Sequence, residues 1–236
     1  MLLIVLAAFP ERSVALQVLI NPAVTDGALQ ISDIRQKAAI WPSGQRTLTY
    51  WIDAQELCGR QWTPTKTCMR ETIVASSLAA AAKDWENACA ECGVSFTRVY
   101  EKSKATFRVR YIGSILLSSG EKKAPAYIAR SFFPTSESKN RILRISPAYF
   151  SENVEKIGII RHELGHILGY VHENICNGTA NQLPPGLASV LINQKDEKSL
   201  MVQPCELSNF SGSLSLSPLD VEGHRKIYSP ASSSSN

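Results

Sequence analysis

The sequence lacks several features that would each place it in a known class. Its apolar start, Leu2–Phe9, runs for eight residues, whereas a membrane-spanning helix needs about 20. Basic residues are scattered, with only short pairs such as Lys122 and Lys123, so the basic stripe of a nucleic-acid-binding protein is absent. We therefore expect no membrane insertion and no nucleic-acid partner. Histidine is also scarce, with four in 236 residues.

Composition and segment character predict one globular domain with extensions. Hydrophobic residues make up 44% and charged residues 19% of the chain, which is ordinary for a folded domain. We expect that domain over residues 40–230 and a disordered polar tail at 231–236. Residues 10–39 show no strong period, and residues 1–39 are interpreted as an N-terminal segment, with a signal or pro-segment as one possibility. Leu2–Phe9 fits the apolar part of a secretory signal or a buried strand.

Three of the four histidines stand in one short stretch, "RHELGHILGYVHEN". His162 and His166 are four residues apart, and a helix places such side chains on the same face. Two imidazoles on one helix face are spaced to bind a single metal ion. Glu163 follows the first histidine, and in the H-E-x-x-H arrangement this glutamate acts as the general base.

The third histidine requires the helix to end. A tetrahedral zinc site held by two helical histidines needs one more protein ligand and one open position. His172 would lie about 9 Å further along a continuing helix than His166, too far to share an ion. Gly169 tolerates positive φ, ends helices and lets the chain turn back. We therefore predict that His172 is the third ligand and that Gly169 supports the site structurally.

The same residues also have a purely structural interpretation. A lone histidine on an apolar helix face is more often a hydrogen-bonded core residue than a ligand, and a bare H-E-x-x-H match needs confirming context. Here the pattern extends to H-E-x-x-H-x-x-G-x-x-H within a predicted helix, which favours a metal site. His224 lies outside this pattern and is predicted to be a surface or capping residue.

Six cysteines and two glycosylation sequons, at Asn177 and Asn209, favour an oxidising, extracellular location. Sequence proximity suggests Cys58–Cys68 and Cys89–Cys92 as pairs, although fifteen connectivities are possible. Cys89 and Cys92 also fit half of a zinc knuckle or a redox pair. No second C-x-x-C completes a four-cysteine zinc site.

Hydrophobic periodicity predicts an α+β fold, a mixed twisted sheet with an active-site helix and a C-terminal helix. The stretch from Glu173 to Asn209 is predicted to be a long loop. Strands are expected at Thr47–Ile52, Ala105–Ile112, Ala124–Phe133 (an edge position, because of Pro125) and Arg141–Pro147, and helices at Arg70–Ala88, Ser151–Gly169 (with Ser151 as its cap) and Ser217–Tyr228.

The extended histidine pattern resembles the zinc-binding signature of the metzincin metalloendopeptidases. That family has a methionine turn beneath its metal, and "SLMVQP" is similar to it, with Met201 as the structural methionine. The alternative for Met201 is that it fills the core. Glu173 after the third histidine is an astacin-like feature, whereas "HELGHILGY" is matrixin-like, so the subgroup stays open.

Two departures from the family concern latency. No cysteine precedes Cys58, although matrixins often silence their zinc with a pro-segment cysteine, and Asp26 is a weak candidate for that task. Gln203 stands where astacins often carry a tyrosine.

The resemblance implies a secreted, monomeric zinc endopeptidase acting on proteins or peptides. Zn²⁺ would be bound by His162, His166 and His172, with Glu163 as the catalytic base, and substrate would lie along the edge Ala124–Arg130. One rival is a zinc-containing binding protein that has lost catalysis. Another is a different hydrolase whose third ligand is Glu197 or Glu206, which would leave Gly169 and His172 unexplained.

Overall fold

The computed structural model describes residues 15–20, 38–59, 63, 68–174, 188–196, 198–203 and 214–230. Short 3-10 helices lie at Ser43–Gln45, Ala90–Cys92, Lys102–Lys104, Ser138–Asn140 and Pro147–Phe150. The α-helices are α1 (Ala54–Cys58), α2 (Met69–Ala88), α3 (Lys156–Ile167) and α4 (Pro218–Tyr228). The strands are β1 (Ala15–Ile20), β2 (Thr47–Ile52), β3 (Ser95–Arg98), β4 (Phe107–Tyr111), β5 (Ile115–Leu116), β6 (Lys122–Lys123), β7 (Ala129–Arg130), β8 (Ile142–Ile145), β9 (Tyr170–Val171), β10 (Glu173–Asn174), β11 (Ala188–Lys195) and β12 (Val202–Gln203).

A five-stranded mixed sheet forms the larger part of the core, in the order β3-β2-β4-β8-β7. Its first four strands are parallel, and β7 pairs antiparallel with β8. Along β2, Leu48, Tyr50 and Ile52 are buried while the residues between them are not, as expected of a sheet with one covered face. The mixed sheet and the strands expected in β2, β4 and β8 are confirmed.

The expected strand at Ala124–Phe133 is mostly wrong, because only β7 within it pairs with a neighbour. Pro125 lies outside the strand. The short β7 nevertheless lies at the edge of the sheet, where the prediction put it. Because no other strand in the described ranges pairs with the far side of β7, that edge can accept another strand.

Helices α2 and α3 cover the inner face of this sheet. The apolar spacing predicted for α2 is confirmed, because Val74, Leu78, Ala81 and Trp85 are all fully buried. Helix α3 is shorter than expected: its N-cap is Glu155, and Ser151 lies in the preceding turn, where its carbonyl accepts a hydrogen bond from the N–H of Val154. No helix in the described ranges is long and apolar enough to cross a membrane.

A second sheet has the order β11-β1-β9 and was not expected from the sequence. The central strand β1 comes from the segment predicted to have no strong structure, and Leu16 and Val18 within it are buried. The stretch from Glu173 to Asn209, predicted as a loop, contains β10, β11 and β12 among its described residues. The prediction failed there because the strand partners are far apart in sequence, as in the pairing of Gln17 with Leu191.

The closing helix α4 is confirmed. Ser217 caps it, with a reciprocal hydrogen-bond pair to Asp220 that forms a capping box. Both suggested disulfides, Cys58–Cys68 and Cys89–Cys92, are also confirmed. A zinc knuckle at Cys89 and Cys92 is therefore excluded, because both sulfurs are bonded to each other.

Candidate metal centre

The imidazoles of His162, His166 and His172 converge. The Nε2 atom of His172 lies 3.0 Å from that of His162 and 3.1 Å from that of His166, and the candidate donor atoms of the three residues all lie within 4.8 Å of one another. A tetrahedral ion with bonds of about 2.0–2.1 Å places its ligands about 3.3 Å apart. The three side chains therefore fit a single metal ion.

Two of these rings are fixed by backbone carbonyls. Nδ1 of His162 lies 2.8 Å from the carbonyl oxygen of Leu200, and Nδ1 of His166 lies 2.8 Å from that of Tyr170. A carbonyl only accepts, so each Nδ1 carries the proton and donates it. The lone pair of each ring is then on Nε2, which is the atom that points to the shared centre.

Burial keeps two of the three imidazoles neutral. It lowers the pKa of His166 well below its ordinary value, and the neighbouring His162 and His172 add to the effect. Burial, followed by the charge of His162, lowers the pKa of His172 to about 3. Metal binding requires the neutral form of histidine. These two side chains are therefore ready to bind a metal at physiological pH without losing a proton.

Gly169 ends α3 and turns the chain toward His172. Its φ is 101°, and a Cβ atom there would lie 2.7 Å from the carbonyl oxygen of Ala39. Both the backbone conformation and the close approach require glycine. After this turn, β9 pairs with β1 through Gln17 and Val18, and His172 follows directly. The third histidine thus reaches the other two from the second sheet.

Met201 packs beneath α3. It is fully buried, and a Cβ atom on Gly165 would lie 2.5 Å from its Sδ atom. Gly165 is the residue before His166, so the missing side chain lets the methionine approach the helix next to that histidine. The sequence pattern specified Met201, but it assigned no function to Gly165.

The turn before Met201 is held by Asp220 of α4. The buried Asp220 carboxylate accepts hydrogen bonds from the Ser199 hydroxyl at 2.6 Å and from the Leu200 N–H at 2.7 Å. The Leu200 carbonyl in turn accepts from His162. Burial raises the pKa of Asp220, and these hydrogen bonds oppose the shift. Sequence analysis missed this contact, although the Ser217-x-x-Asp220 spacing is that of a capping box.

Glu163 is buried beside the histidines and bonded to Ser131. The Ser131 hydroxyl donates to its Oε2 atom at 2.6 Å. Burial raises the pKa of Glu163, whereas His162 and the Ser131 hydrogen bond lower it. Ser131 directly follows β7, one residue beyond the edge segment chosen from the sequence. The hydroxyl therefore links the open sheet edge to the carboxylate.

The carbonyl groups of α3 are also satisfied by side chains. The indole N–H groups of Trp41 and Trp85 donate to the carbonyls of Ile167 and Arg161, at 2.7 and 2.9 Å. The Tyr228 hydroxyl donates to the carbonyl of Leu168 at 2.6 Å. The carbonyls of Ile167 and Leu168 lie at the helix C-terminus, where they have no partners within the helix, so the contacts of Trp41 and Tyr228 hold the end of α3 in place. The contact of Trp85 attaches the middle of α3 to α2.

His224 is not the surface or capping residue predicted from the sequence. It is fully buried, its Nδ1 lies 2.8 Å from the Tyr170 hydroxyl, and its ring meets Trp85 edge-on. The prediction was wrong because the apolar face of α4 packs under β9, which a local pattern does not reveal. Burial, followed by the charges of Arg46 and Arg225, lowers its pKa to about 3.

Several predictions fall outside the described residues. These are the alternative ligands Glu197 and Glu206, the sequons at Asn177 and Asn209, the cysteines Cys176 and Cys205, and Asp26. Of Glu173, the structure shows that its backbone in β10 runs parallel to Val202 of β12, next to the methionine turn.

Comparison with known proteins identifies a similar fold. No protein-family model and no curated protein sequence matches the chain. Among solved structures, myroilysin matches with a TM-score of 0.50 and 15% sequence identity, over 90% of this chain and 99% of the myroilysin chain. The likeness therefore extends over almost all of both chains, and at this identity it concerns the fold alone.

Proposed function

We propose that the protein is a zinc-dependent endopeptidase of metzincin-like type, with Glu163 as the general base. One observation carries the proposal: the ring nitrogens of three histidines converge on one point, and a buried carboxyl group stands next to the first of them. This set of ligands, with nitrogen donors and an adjacent glutamate, is the one that catalytic zinc uses in proteases. The similarity to the myroilysin fold agrees with a single domain of this size.

Each residue of the site would have its own role in peptide hydrolysis. Zinc bound by His162, His166 and His172 would supply Lewis acidity toward a peptide carbonyl and an attacking water. Glu163 accepts the proton of that water and delivers it to the leaving amine nitrogen. Burial raises the pKa of this carboxyl, which favours its uptake of a proton. Ser131 holds the carboxylate in position.

The substrate backbone would add to the sheet at β7. Among the described strands, β7 pairs with β8 alone, and the N–H and C=O groups on its other side can hydrogen-bond an extended peptide. The residue after β7 contacts Glu163, so a peptide on this edge passes beside the proposed base. This arrangement favours an endopeptidase, since both ends of the peptide can continue beyond the site.

The main alternative is a zinc-containing binding protein of the same fold without catalysis. The buried Glu163 disfavours this alternative, because burying a carboxyl group costs free energy and a purely structural zinc site does not require that carboxyl group. A hydrolase with Glu197 or Glu206 as third ligand is disfavoured by His172, whose Nε2 lies close to both helical histidines. Secretion is proposed from the two disulfides, which form in oxidising compartments. A monomeric state remains a prediction.

The proposal is tested with Glu163→Gln in the full chain. The amide cannot act as a base, so casein cleavage should fall by about 10²–10⁴-fold, while zinc content measured by mass spectrometry stays near one per chain. Glu152→Gln is the matched control, because Glu152 is exposed and precedes α3; it should retain parent activity. Casein cleavage by Glu163→Gln at the parent rate would exclude the mechanism, and a parent protein that binds zinc but cleaves nothing would favour the binding protein.

A further inference from the structure

Three arginines lie side by side across the outer face of the main sheet. In the strand register, Arg130 of β7 is paired with Arg144 of β8, and Arg144 is paired with Arg110 of β4. Residues paired across strands project from the same face. Arg144 stands between Leu143 and Ile145, which are fully buried on the inner face, so the row of guanidinium groups lies on the outer one.

The row is only partly neutralised. Arg110 is bonded to both carboxylate oxygens of Glu56, with Nε at 2.9 and 3.1 Å from them. Among the residues that the structure describes, neither Arg130 nor Arg144 has a carboxylate within ion-pair distance. Burial lowers the pKa of the half-buried Arg144, Tyr127 opposes the shift, and the charges of Arg130 and Arg110 add to it. Within the described ranges, Arg130 and Arg144 therefore have no counter-charge next to the edge of the sheet.

Arg130 and Arg144 lie close to the site around Glu163, where a substrate strand would add to the sheet. Arg130 belongs to the edge strand β7, and the next residue, Ser131, contacts Glu163. In a peptide strand added to β7, successive side chains point to opposite faces of the sheet. A residue paired with Arg130 would project onto the outer face beside both uncompensated arginines, while its neighbours project toward Glu163.

We propose that Arg130 and Arg144 form a subsite for an acidic side chain, so that the protein selects substrates with aspartate or glutamate at the position paired with Arg130. This inference rests on the proposed peptidase function and names the substrate class of that site. Guanidinium groups bind carboxylates with two parallel hydrogen bonds. The neighbouring carboxylate of Glu56 does not compete, because it is already shared with Arg110.

The test uses the zinc-loaded full chain and matched peptides. A library digest defines a cleaved core sequence, and peptides carrying Glu, Gln or Lys at each position near the cut are then compared by kcat/KM. At one position Glu should exceed Gln by about 2- to 5-fold, the range of an exposed ion pair, and Lys should be the poorest. The preference should shrink at high salt, because exposed charges are screened.

Variants assign the preference to these arginines. Arg130→Glu should invert the ratio of kcat/KM for the Glu and Lys peptides, and this ratio cancels any general loss of activity. Arg130→Gln and Arg144→Gln should each bring the ratio toward one. Lys83→Glu, an equal charge change on the exposed side of α2, should leave the ratio as in the parent.

Three results would overturn the inference. If peptides are cleaved with no preference for an acidic residue at any position, the subsite is wrong and the proposed function stands. If the preference survives in Arg130→Glu, another group is responsible. If heparin retains the protein through Arg130 and Arg144 without any substrate preference, the row binds polyanions instead. A parent protein that cleaves no peptide would remove the proposed function and this inference with it.

Discussion

The two sides of the metal centre are built in different ways. On one side, His162, Glu163 and His166 lie within one turn of α3 and owe their arrangement to helix geometry. On the other side, His172 follows β9, which pairs with a strand more than 150 positions away in sequence. The first side depends on local structure, and the second depends on long-range pairing. The difference predicts that distant substitutions will disturb His172 and spare the helical pair.

The largest expected effect comes from Leu16→Ala in β1. Leu16 is buried, and truncating a buried leucine costs about 2–5 kcal/mol in the free energy of unfolding. Leu78→Ala, at an equally buried position in α2, should cost as much. Only Leu16→Ala should also weaken zinc binding, because β1 holds β9. Urea denaturation and chelator competition measure the two quantities.

An unchanged unfolding free energy in Leu16→Ala would mean that β1 is not part of the folded unit. That outcome would favour the expectation that residues 1–39 are a removable pro-segment. If the strand is needed, as its burial indicates, N-terminal sequencing of the mature protein should find Ala15–Ile20 retained, or bound to the domain after any cut.

Gly169→Ala should have the next largest effect. Its positive φ alone costs an alanine about 1–2 kcal/mol, and the new Cβ atom would also meet the carbonyl oxygen of Ala39. Gly120→Ala is the control, because Gly120 has a φ of 83° and nothing within 4 Å of such a Cβ atom. Thermal unfolding should show a larger loss for Gly169→Ala, and zinc affinity should fall in that variant alone. Equal losses with equal zinc affinity would contradict a close approach at Ala39.

The smallest effect concerns pH and His224, which packs against β9. Its pKa is about 3 in the folded protein and about 6.5 when unfolded. Between these values the unfolded chain binds the extra proton, so stability falls as the pH drops below 6.5. Lowering the pH from 7 to 5.5 should cost about 1 kcal/mol through this residue.

His224→Phe isolates that contribution. The variant removes the titrating group and keeps an aromatic ring beside Trp85, so its loss of stability between pH 7 and 5.5 should be smaller than that of the parent by this amount. Urea midpoints at the two pH values measure the difference. The same pH dependence in both proteins would mean that folding does not lower the pKa of His224.

The local side of the site was predictable from the sequence, whereas the side that depends on long-range pairing was not. Helix α3, its histidines and the glycine after it were predictable because helical periodicity and turn chemistry act over a few residues. The start of α3 was misplaced, since Ser151 suits a cap but lies in the preceding turn. Strands β1 and β11 were missed because their partners are remote, and a strand without its partner leaves only a weak local signal.

The sequence by itself determined the local part of the site. The spacing of His162 and His166 fixes one face of a helix, Glu163 stands beside them, and Gly169 permits the turn. Only the tertiary structure decided where the remaining groups lie: His172 at the histidine cluster, Ser131 on the Glu163 carboxylate, and Asp220 behind the carbonyl that orients His162. The physical reason is that backbone geometry acts over one or two turns, whereas burial and strand pairing join residues regardless of their distance in sequence.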